Sequence, residues 1–530
     1  MQQSIKLILL PLFGLLILSC GKHVTFDQAP TIEKNSNASV PLAAILKFAT
    51  DRPISVTAKF EAHDHTFAIS FDDVSDARKG LPIIGMKPNR KYEVYLKIQV
   101  KDRSFDYEGK LTYITPELPS DPHEMLRFTV KRNKGIPMEP GITLLNPRLR
   151  AKGHDGSKFG MLAAVDSLGD IVWYYRCDAR ISDFNFLPNK HISYMTADHR
   201  LVEIDLLGNV IKSWFASDRP DGPLKDAIPV KSLTFHHDAT LLPNGNYLIL
   251  GSDCKEIDNY YTSETNSNAP RKRQKVMGDV LLEFTPEGEI VWKWNAFDHL
   301  DPMRIGYETF SKYWYSRGYP GVLDWSHANT ILHDSTDNTI VMNSRYLSSL
   351  TKINKDGSLK WIFGEPTGLS ENLRSKSLQL KNGDWFWHQH SASFTPNGTI
   401  LIFNNNLIRA WPFKEKDDSG FSYAMEFEIN EAEMSAELIW SSETADLPGV
   451  RSSAMGDVDF LNETNNVLVS YGSLDANDDY GRKNSWSMVR EFTNTSPTDL
   501  VWELQLWPLE NSEDSIGWVL FSSERIANFY

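Results

Sequence analysis

The chain has 530 residues, of which 41% are hydrophobic and 23% charged, and this is the composition of a folded protein with room for more than one domain. Its formal net charge of −14 argues against nucleic acid as a partner, because binding to phosphates requires a basic surface. The aromatic share of 12%, with 15 Trp, suits a large all-β protein whose sheets pack face to face.

The first 20 residues have the pattern of a lipoprotein export signal. Lys6 is the single charge, an apolar run covers 7–18, and Ser19 and Cys20 follow it. A run this short is typical of a cleaved signal rather than a membrane-spanning helix. We therefore expect a signal peptide over 1–19 and an exported protein, anchored to a membrane by lipid at Cys20, in the periplasm or at the outer membrane. An ordinary secretory signal with an incidental Cys is the alternative.

Residues 20–120 divide into a tether and a small domain. The polar stretch 20–36 predicts a flexible tether. Over 37–120 short alternating strands recur, and a turn leading into a Tyr-x-Val strand at Tyr92 is typical of a fibronectin type III-like β-sandwich. The Pro-rich run 116–122 then reads as a linker to a second domain.

A repeat determines the fold expected for 130–530. A turn followed by a strand that carries Trp recurs six times, at Trp173, Trp214, Trp292, Trp361, Trp440 and Trp502. A Pro-Asn-Gly hairpin is interleaved with it near Pro243 and Pro396. Two hairpins make a four-stranded sheet, so six repeats predict a six-bladed β-propeller. The strand-like segment 521–530 is expected to complete the first blade. Several stacked sandwiches are the poorer alternative.

Three histidines recur in a similar position of this repeat. His237 lies six residues before Pro243, His390 lies six before Pro396, and His327 lies six before the intervening turn. Equivalent positions on the inner strands of a propeller face the central channel, so we expect the three side chains to converge there. His236 points the other way on its strand and is expected to be structural, whereas His388 is placed to support the site.

The segments around these histidines resemble the bacterial arylsulfate sulfotransferases, a family that needs no nucleotide sulfate donor. The Asp324-Trp-x-His-x-Asn329 run followed by Ser344 and Arg345 is the most specific part of the resemblance, which covers most of 130–530. It implies that His390 carries the sulfuryl group, with His237, His327, Asn329 and Arg345 around the donor. Some members have a disulfide near the active site, but this sequence has no Cys after Cys254.

The chemistry of sulfuryl transfer fits these residue types. Transfer requires an in-line nucleophile and positive charge around the equatorial oxygens. Neutral imidazole is nucleophilic near pH 7, a second imidazole can exchange the proton of the phenol, and an Arg supplies a permanent charge with a planar donor fork. We therefore predict a ping-pong transfer from an aryl sulfate donor to a phenolic acceptor through sulfated His390. Arg345 as a structural ion-pair partner is the alternative for that residue.

Other functions remain open at this point. Hydrolysis at the same histidine differs from transfer only in whether water is kept out of the acceptor site. A non-catalytic propeller that binds partners at a surface would not explain why the histidines recur at one position. Aromatic residues near the motifs are candidates for a phenol slot, and we assign none of them: Trp325, Trp385, Trp387, Trp411 and Tyr307. The acidic run 475–479 lacks the Gly and Glu of a calcium loop, so we predict no metal and no cofactor. The sequence leaves a homodimer open, as it does a bond between Cys177 and Cys254.

Overall fold

The computed structural model describes residues 24–151, 153–444, 446–474, 484–508 and 516–530. The predicted signal peptide, Cys20 and the acidic run 475–479 lie outside these ranges. Within them the structure is nearly all β, and its only helices are single turns, namely α1 (Ala296–His299), α2 (Glu371–Arg374) and two 3-10 turns (Gly156–Lys158, Tyr315–Arg317). None of the helices in the described ranges has the length and apolar character needed to cross a membrane.

The chain forms two compact units. The first contains residues up to Glu33 together with Ile45–Leu81 and Tyr92–Tyr113, and the second contains the remainder. The first unit is built on a connected seven-stranded sheet in which the long strand β2 pairs with β1, β3, β4 and β5. Its strands are β1 (Phe26–Lys34), β2 (Ala44–Glu61), β3 (Thr66–Asp76), β4 (Leu81–Ile83), β5 (Lys91–Val100), β6 (Arg103–Asp106) and β7 (Leu111–Ile114).

The predicted tether over 20–36 is wrong where the structure describes it, because residues 26–34 form β1. This strand alternates half-buried and exposed side chains and pairs with β2. A strand with one covered face and one wet face is polar in composition, which is why the segment resembled a tether. The second unit also begins differently from the expected boundary at 130: it includes Lys34–Ala44 and Pro82–Lys91, and it is continuous from Ile114 onward.

The second unit is a six-bladed β-propeller. Each blade is one hydrogen-bonded sheet built around four antiparallel strands. The strands of the first half are β8 (Leu126–Arg132), β9 (Ile142–Ala151), β10 (Gly160–Val165), β11 (Ile171–Cys177), β12 (Ile181–Phe186), β13 (Ile192–Thr196), β14 (Arg200–Ile204), β15 (Val210–Ala216), β16 (Ile228–Val230), β17 (Phe235–Leu241), β18 (Tyr247–Tyr260), β19 (Lys272–Phe284), β20 (Ile290–Asn295) and β21 (Val322–Asp324). Those of the second half are β22 (Ala328–Asp334), β23 (Thr339–Ser344), β24 (Ser349–Ile353), β25 (Leu359–Gly364), β26 (Gln379–Leu380), β27 (His390–Phe394), β28 (Ile400–Asn404), β29 (Tyr423–Asn430), β30 (Ser435–Ser441), β31 (Asp457–Phe460), β32 (Val467–Leu474), β33 (Trp486–Phe492), β34 (Leu500–Pro508) and β35 (Ile516–Ile526).

The blades follow the chain order. The first blade contains β9, β10 and β11, the second β12–β15, the third β17–β20, the fourth β22–β25, the fifth β27–β30 and the sixth β31–β34. The C-terminal strand β35 pairs with β9 and becomes the innermost strand of the first blade, as the sequence predicted, while β8 adds an outer strand to the sixth. Strands from the two ends of the unit therefore close the ring.

The repeated tryptophans that predicted the blades join each blade to the next. The indole N–H donates to the turn between the last two strands of the following blade in five cases: Trp173 to Leu206 O, Trp214 to Pro286 O, Trp292 to Lys355 O, Trp361 to Glu431 Oε1 and Trp502 to Ser167 O, at 2.8–3.1 Å. The sixth, Trp440, is buried with its Nε1 unpaired among the described residues. The Trp therefore recurs in each repeat because it packs one blade against the next.

A second ring of hydrogen bonds crosses all six blade junctions near the channel. We call it the interblade belt: Ser522 Oγ to Asp183 (2.5 Å), Asn185 Nδ2 to Ala239 O (2.9 Å), Ile331 N to Asp238 (2.9 Å), Asn329 Nδ2 to Gln389 O (2.9 Å), Ser391 Oγ to Asp457 (2.5 Å) and Ser523 N to Asp457 (3.2 Å). Burial raises the pKa of Asp238 to about 7, and it raises the pKa of Asp183 and Asp457. The belt holds the innermost strands in fixed register.

Candidate active site

The three predicted histidines lie where the innermost strands of consecutive blades begin. His237 is in β17, His327 directly precedes β22, and His390 is the first residue of β27. All three are buried, with at most 8% of each residue exposed. Their ladder positions are not identical, because each strand has a register shift at this point and the shifts differ in form. Bulges of this kind re-aim side chains, and they bring the three rings toward one another despite the unequal register.

His327 is held by a carboxylate. Its Nδ1 lies 2.6 Å from Asp324 Oδ2, and the second oxygen of Asp324 accepts the indole N–H of Trp314 at 2.9 Å. The backbone of His327 has a φ of 48°, which is rare for a residue with a side chain and is stabilised here by its neighbours. The carboxylate accepts from Nδ1–H and orients the ring, so Nε2 is the atom that can give or take a proton.

His237 belongs to a chain of hydrogen bonds that fixes its protonation state. His236 Nε2 is 3.0 Å from the Gly251 carbonyl, which can only accept, so His236 Nδ1 is an acceptor for His237 Nδ1–H at 2.9 Å. The remaining nitrogen of His237 then accepts from the hydroxyl of Tyr313 at 3.4 Å. Burial lowers the pKa of His237 and lowers that of His236 to about 3. Both rings are therefore neutral at pH 7.

Both ring nitrogens of His390 are held by hydrogen bonds that fix its tautomer. The carboxamide nitrogen of Asn405 donates to the carbonyls of Ser452 and Met455, which leaves its oxygen to accept from His390 Nδ1 at 2.8 Å. Nε2 is thus unprotonated and accepts the Met455 N–H at 3.2 Å. Burial, the charge of Arg345 and that of His327 lower the pKa of His390, so the ring is neutral at pH 7.

Arg345 supplies a buried charge in the turn between β23 and β24. Its guanidinium pairs with Glu308, whose carboxylate also lies 3.6 Å from His388 Nδ1. Burial alone would raise the pKa of Glu308, but Arg345 and His388 hold it well below its usual range. Arg345 Nε and His388 Nδ1 are buried without a hydrogen-bond partner among the described residues. The ion pair considered for Arg345 is therefore present, and it leaves spare donor capacity.

Asn329 is engaged between blades. Its nitrogen donates to the Gln389 carbonyl, and its oxygen accepts from Asn343 Nδ2 at 2.9 Å. The residue is 1% exposed. The structure therefore places Asn329 in the interblade belt beside His390, where it positions β22 against β27, instead of presenting its amide to the channel.

Aromatic rings that the sequence did not single out surround the histidines. Tyr313 is 4.6 Å from His327 between ring centroids, Tyr346 stacks on His327 at 4.4 Å, and Phe521 lies 6.0 Å from His237 and 6.3 Å from His390. The His237 and His327 rings are themselves 4.9 Å apart. By contrast, Trp325 is fully buried and packs on Phe297 as part of a blade core.

The functional partners that sequence reasoning missed are Asp324, Asn405, Tyr313, Tyr346 and Phe521. Asp324 is part of the motif that contains His327, and Tyr346 directly follows Arg345, so both were within reach of a local reading. Asn405 directly follows β28, the strand that pairs with β27 in the same blade, whereas Phe521 lies in the C-terminal strand and reaches the site only because the ring closes. Cys177 and Cys254 are both free thiols. No group of three or more metal-binding side chains occurs in the described part of the chain.

Comparison with known proteins shows the family of the chain. The family model for arylsulfotransferase (ASST) matches residues 127–506, which is most of the chain. The chain belongs to the arylsulfotransferase family. It is accordingly an aryl-sulfate sulfotransferase, an enzyme whose substrates are small aryl sulfates and phenols.

Two curated relatives are similar over different lengths. Arylsulfate sulfotransferase AssT of Lelliottia amnigena is 23% identical over 477 residues, covering 80% of this chain and 77% of that protein. Arylsulfate sulfotransferase AssT of Escherichia coli O6:H1 (strain CFT073) is 27% identical over 135 residues, or 22% of each chain. Among solved structures, a protein of unknown function from Bacteroides caccae has a TM-score of 0.38 at 14% identity and covers 72% of this chain and 99% of that one.

Proposed function

We propose that this enzyme transfers a sulfuryl group from an aryl sulfate to a phenol by a ping-pong mechanism, with His390 as the covalent carrier. The observation that carries the proposal is the hydrogen-bond set of His390. Asn405 holds the proton on Nδ1, so Nε2 has a lone pair in a ring that is neutral at pH 7. A neutral, oriented imidazole next to a buried cation is the arrangement that nucleophilic attack on an anionic sulfate ester requires.

In the first half-reaction, His390 Nε2 attacks the sulfur of the donor. The new N–S bond forms as the bond between sulfur and the aryl oxygen breaks, and the departing phenolate needs a proton. His327 is the better placed proton donor of the two remaining histidines, because Asp324 holds its Nδ1–H and leaves Nε2 for proton exchange, whereas burial lowers the pKa of His237. The hydrogen bond from Met455 N–H to Nε2 has to open before attack, and its length of 3.2 Å makes it a weak one.

In the second half-reaction, a phenol occupies the place that the first phenol left. His327, now neutral, takes the proton of the phenolic oxygen as that oxygen attacks sulfur, and the N–S bond breaks to return His390 to its starting form. Arg345 faces the charge that builds on the non-bridging oxygens. Its pairing with Glu308 keeps it charged and oriented, since Glu308 raises the pKa of a buried guanidinium that burial would otherwise lower.

Transfer competes with hydrolysis at the same intermediate. Three aromatic rings surround the histidines, namely Tyr313, Tyr346 and Phe521. A slot between flat rings favours a phenol over water, which supports transfer as the main reaction.

The experiment that tests the proposed mechanism follows phenol release from a chromogenic aryl sulfate while the concentrations of donor and second phenol are varied. We expect parallel lines in double-reciprocal plots and sulfated acceptor equal to released phenol. Intersecting lines, or release that does not depend on an acceptor, would contradict the proposal.

We further propose that the enzyme is an exported lipoprotein that is anchored through Cys20. Support comes from the sequence pattern of residues 1–20 alone. A Cys20→Ala form should lose lipid labelling and should move from the membrane to the soluble exported fraction. Wild-type protein that is already unlipidated and soluble would contradict this.

A further inference from the structure

Three arginines near the histidines have no role in the mechanism above. Arg148 lies in β9, Arg180 directly precedes β12, and Arg317 follows Tyr313 in the connection between the third and fourth blades. Among the described residues, none of the three forms an ion pair with a carboxylate within 4.0 Å, which is unusual in a chain with a net charge of −14. Buried or half-buried cations are normally paired, so an unpaired group of three calls for an explanation.

Two of these guanidinium groups stack on aromatic rings of the site. Arg317 Cζ lies 3.5 Å from the centroid of the Tyr313 ring, which stacks on His237 at 5.7 Å. Arg148 Cζ lies 5.0 Å from the Phe521 centroid, and Phe521 contacts both His237 and His390. Both charges are therefore one aromatic ring away from the histidines.

The remaining bonds of these side chains leave donors free. Arg148 donates to the carbonyls of Ile181 and Ser182 and to the sulfur of Met455, which are all neutral acceptors. Arg317 uses one nitrogen for Tyr313 O and Ser316 Oγ. Arg180 Nε is buried without a partner among the described residues. Burial lowers the pKa of Arg180 and of Arg148; the charge of Arg317 further lowers that of Arg180, and the charge of Arg180 further lowers that of Arg148, so the neighbouring charges repel each other.

We propose that Arg317, Arg180 and Arg148 form a second anion site that binds an acidic substituent of the phenol, such as a carboxylate on the far side of its ring. This inference rests on the proposed function and narrows its substrate class to phenols and aryl sulfates that carry a second negative charge. A phenol with its hydroxyl at the histidines would extend the far end of its ring past Tyr313, toward the free donors of these arginines. Arg is suited to this task because its planar fork matches a carboxylate.

The test compares two acceptors that differ only in charge, 4-hydroxyphenylacetate and its methyl ester, with 4-nitrophenyl sulfate as the donor. We expect wild-type full-length enzyme to prefer the acid in kcat/KM, and Arg317→Gln to lose about 10- to 100-fold on the acid with little change on the ester. Arg317→Lys should keep part of the preference. Arg271→Gln is the matched control, since Arg271 also stacks on a tyrosine, Tyr261, at 4.1 Å but is exposed in the turn between β18 and β19.

The outcomes separate this inference from the proposed function. If wild-type enzyme releases 4-nitrophenol and sulfates both acceptors equally well, the anion site is wrong while sulfuryl transfer stands. An equal loss on both acceptors in Arg317→Gln would mean that Arg317 only positions Tyr313, and this too would overturn the site. If neither acceptor is sulfated and no 4-nitrophenol is released by the wild type, the proposed function itself fails.

Discussion

The innermost strands carry two buried polar regions side by side, the interblade belt and the histidine site, and they use their polar groups differently. On β17 the boundary falls between consecutive residues: Asp238 accepts the Ile331 N–H across a blade junction, while His237 keeps Nε2 for Tyr313. The belt atoms are bonded to the neighbouring blade. Around the site, Arg345 Nε, His388 Nδ1 and Gln389 Oε1 are buried without partners among the described residues.

This difference shows that burial of polar groups does not by itself mark a functional site. The belt is as buried as the site, yet its hydrogen bonds are satisfied within the protein, which gives it the role of fixing strand register. The site combines histidines of fixed tautomer with donors and acceptors that have no hydrogen-bond partner among the described residues, and a substrate can bind to these groups. Asn329 illustrates the distinction: it lies beside His390, but both atoms of its amide form hydrogen bonds within the protein.

The largest expected effect is that of removing the carrier. His390→Ala should abolish phenol release, because no group remains to receive the sulfur, while the belt around it stays bonded. Steady-state release of 4-nitrophenol from its sulfate measures this. His333→Ala is the control: that residue lies at the other end of β22, bonded to Asn338, and its loss should leave the rate unchanged. Full activity in His390→Ala would show that His390 is not the carrier of the sulfuryl group.

Loss of a proton-transfer or charge-stabilising group should have a smaller effect. His327→Ala and Arg345→Ala should each lower kcat by about 10²- to 10³-fold and leave measurable activity. Asp324→Asn should also lower kcat, because an amide can offer its N–H to Nδ1 and hold His327 in the wrong tautomer. Rates for the three variants are measured with the same donor and a saturating phenol. If Arg345→Ala were fully active, the ion pair with Glu308 would be its whole role.

The belt predicts an effect of pH on stability. The folded pKa of Asp238 is about 7, above the value of about 3.9 for an unfolded Asp, so its stabilising contribution is complete at acid pH and is lost as pH rises to about 7. Asp238→Asn should therefore stabilise the propeller at pH 8, by about 4 kcal/mol at most, and should matter little near pH 4. Thermal unfolding at both pH values measures this.

A surface carboxylate provides the control for that measurement. Hydrogen bonds from Ser358 lower the pKa of Asp356, so its contribution has the opposite sign: it is present at neutral pH and is lost as pH falls. Asp356→Asn should destabilise at pH 8 and have no effect at low pH. If Asp238→Asn behaved in the same way as Asp356→Asn, the belt carboxylates would be ionised and the belt would be held by charge.

The smallest effect concerns the interblade tryptophans. Trp214→Phe removes an indole hydrogen bond to Pro286 O, whereas Trp440→Phe removes none among the described residues, and both replacements leave an aromatic ring at a buried position. Trp214→Phe should therefore cost about 1 kcal/mol more in the free energy of unfolding. Urea unfolding of the two variants measures the difference. Equal costs would show that the indole bond adds nothing beyond packing.

The sequence predicted the parts of this architecture that repeat. Six tryptophans and the interleaved hairpins were enough for the number of blades, because each repeat must bury the same face against its neighbour. The starts of β17, β22 and β27 were found in the same way. The polar strand β1 was missed because a strand with one wet face reads as a tether. Phe521 could not be assigned because ring closure, rather than local spacing, brings it to the histidines. Asn405 was missed although it directly follows β28, the hairpin partner of β27.

The most direct test of the account is mass spectrometry of the protein after treatment with aryl sulfate donor and no acceptor. We predict one added sulfuryl group per chain, located on the peptide that contains His390 and discharged when a phenol is added. Fragmentation that distinguishes His388 from His390 is needed, because both lie on that peptide. A label on His388, His237 or His327, or a protein that remains unlabelled while it turns over donor and acceptor, would contradict the assignment of His390 as the carrier.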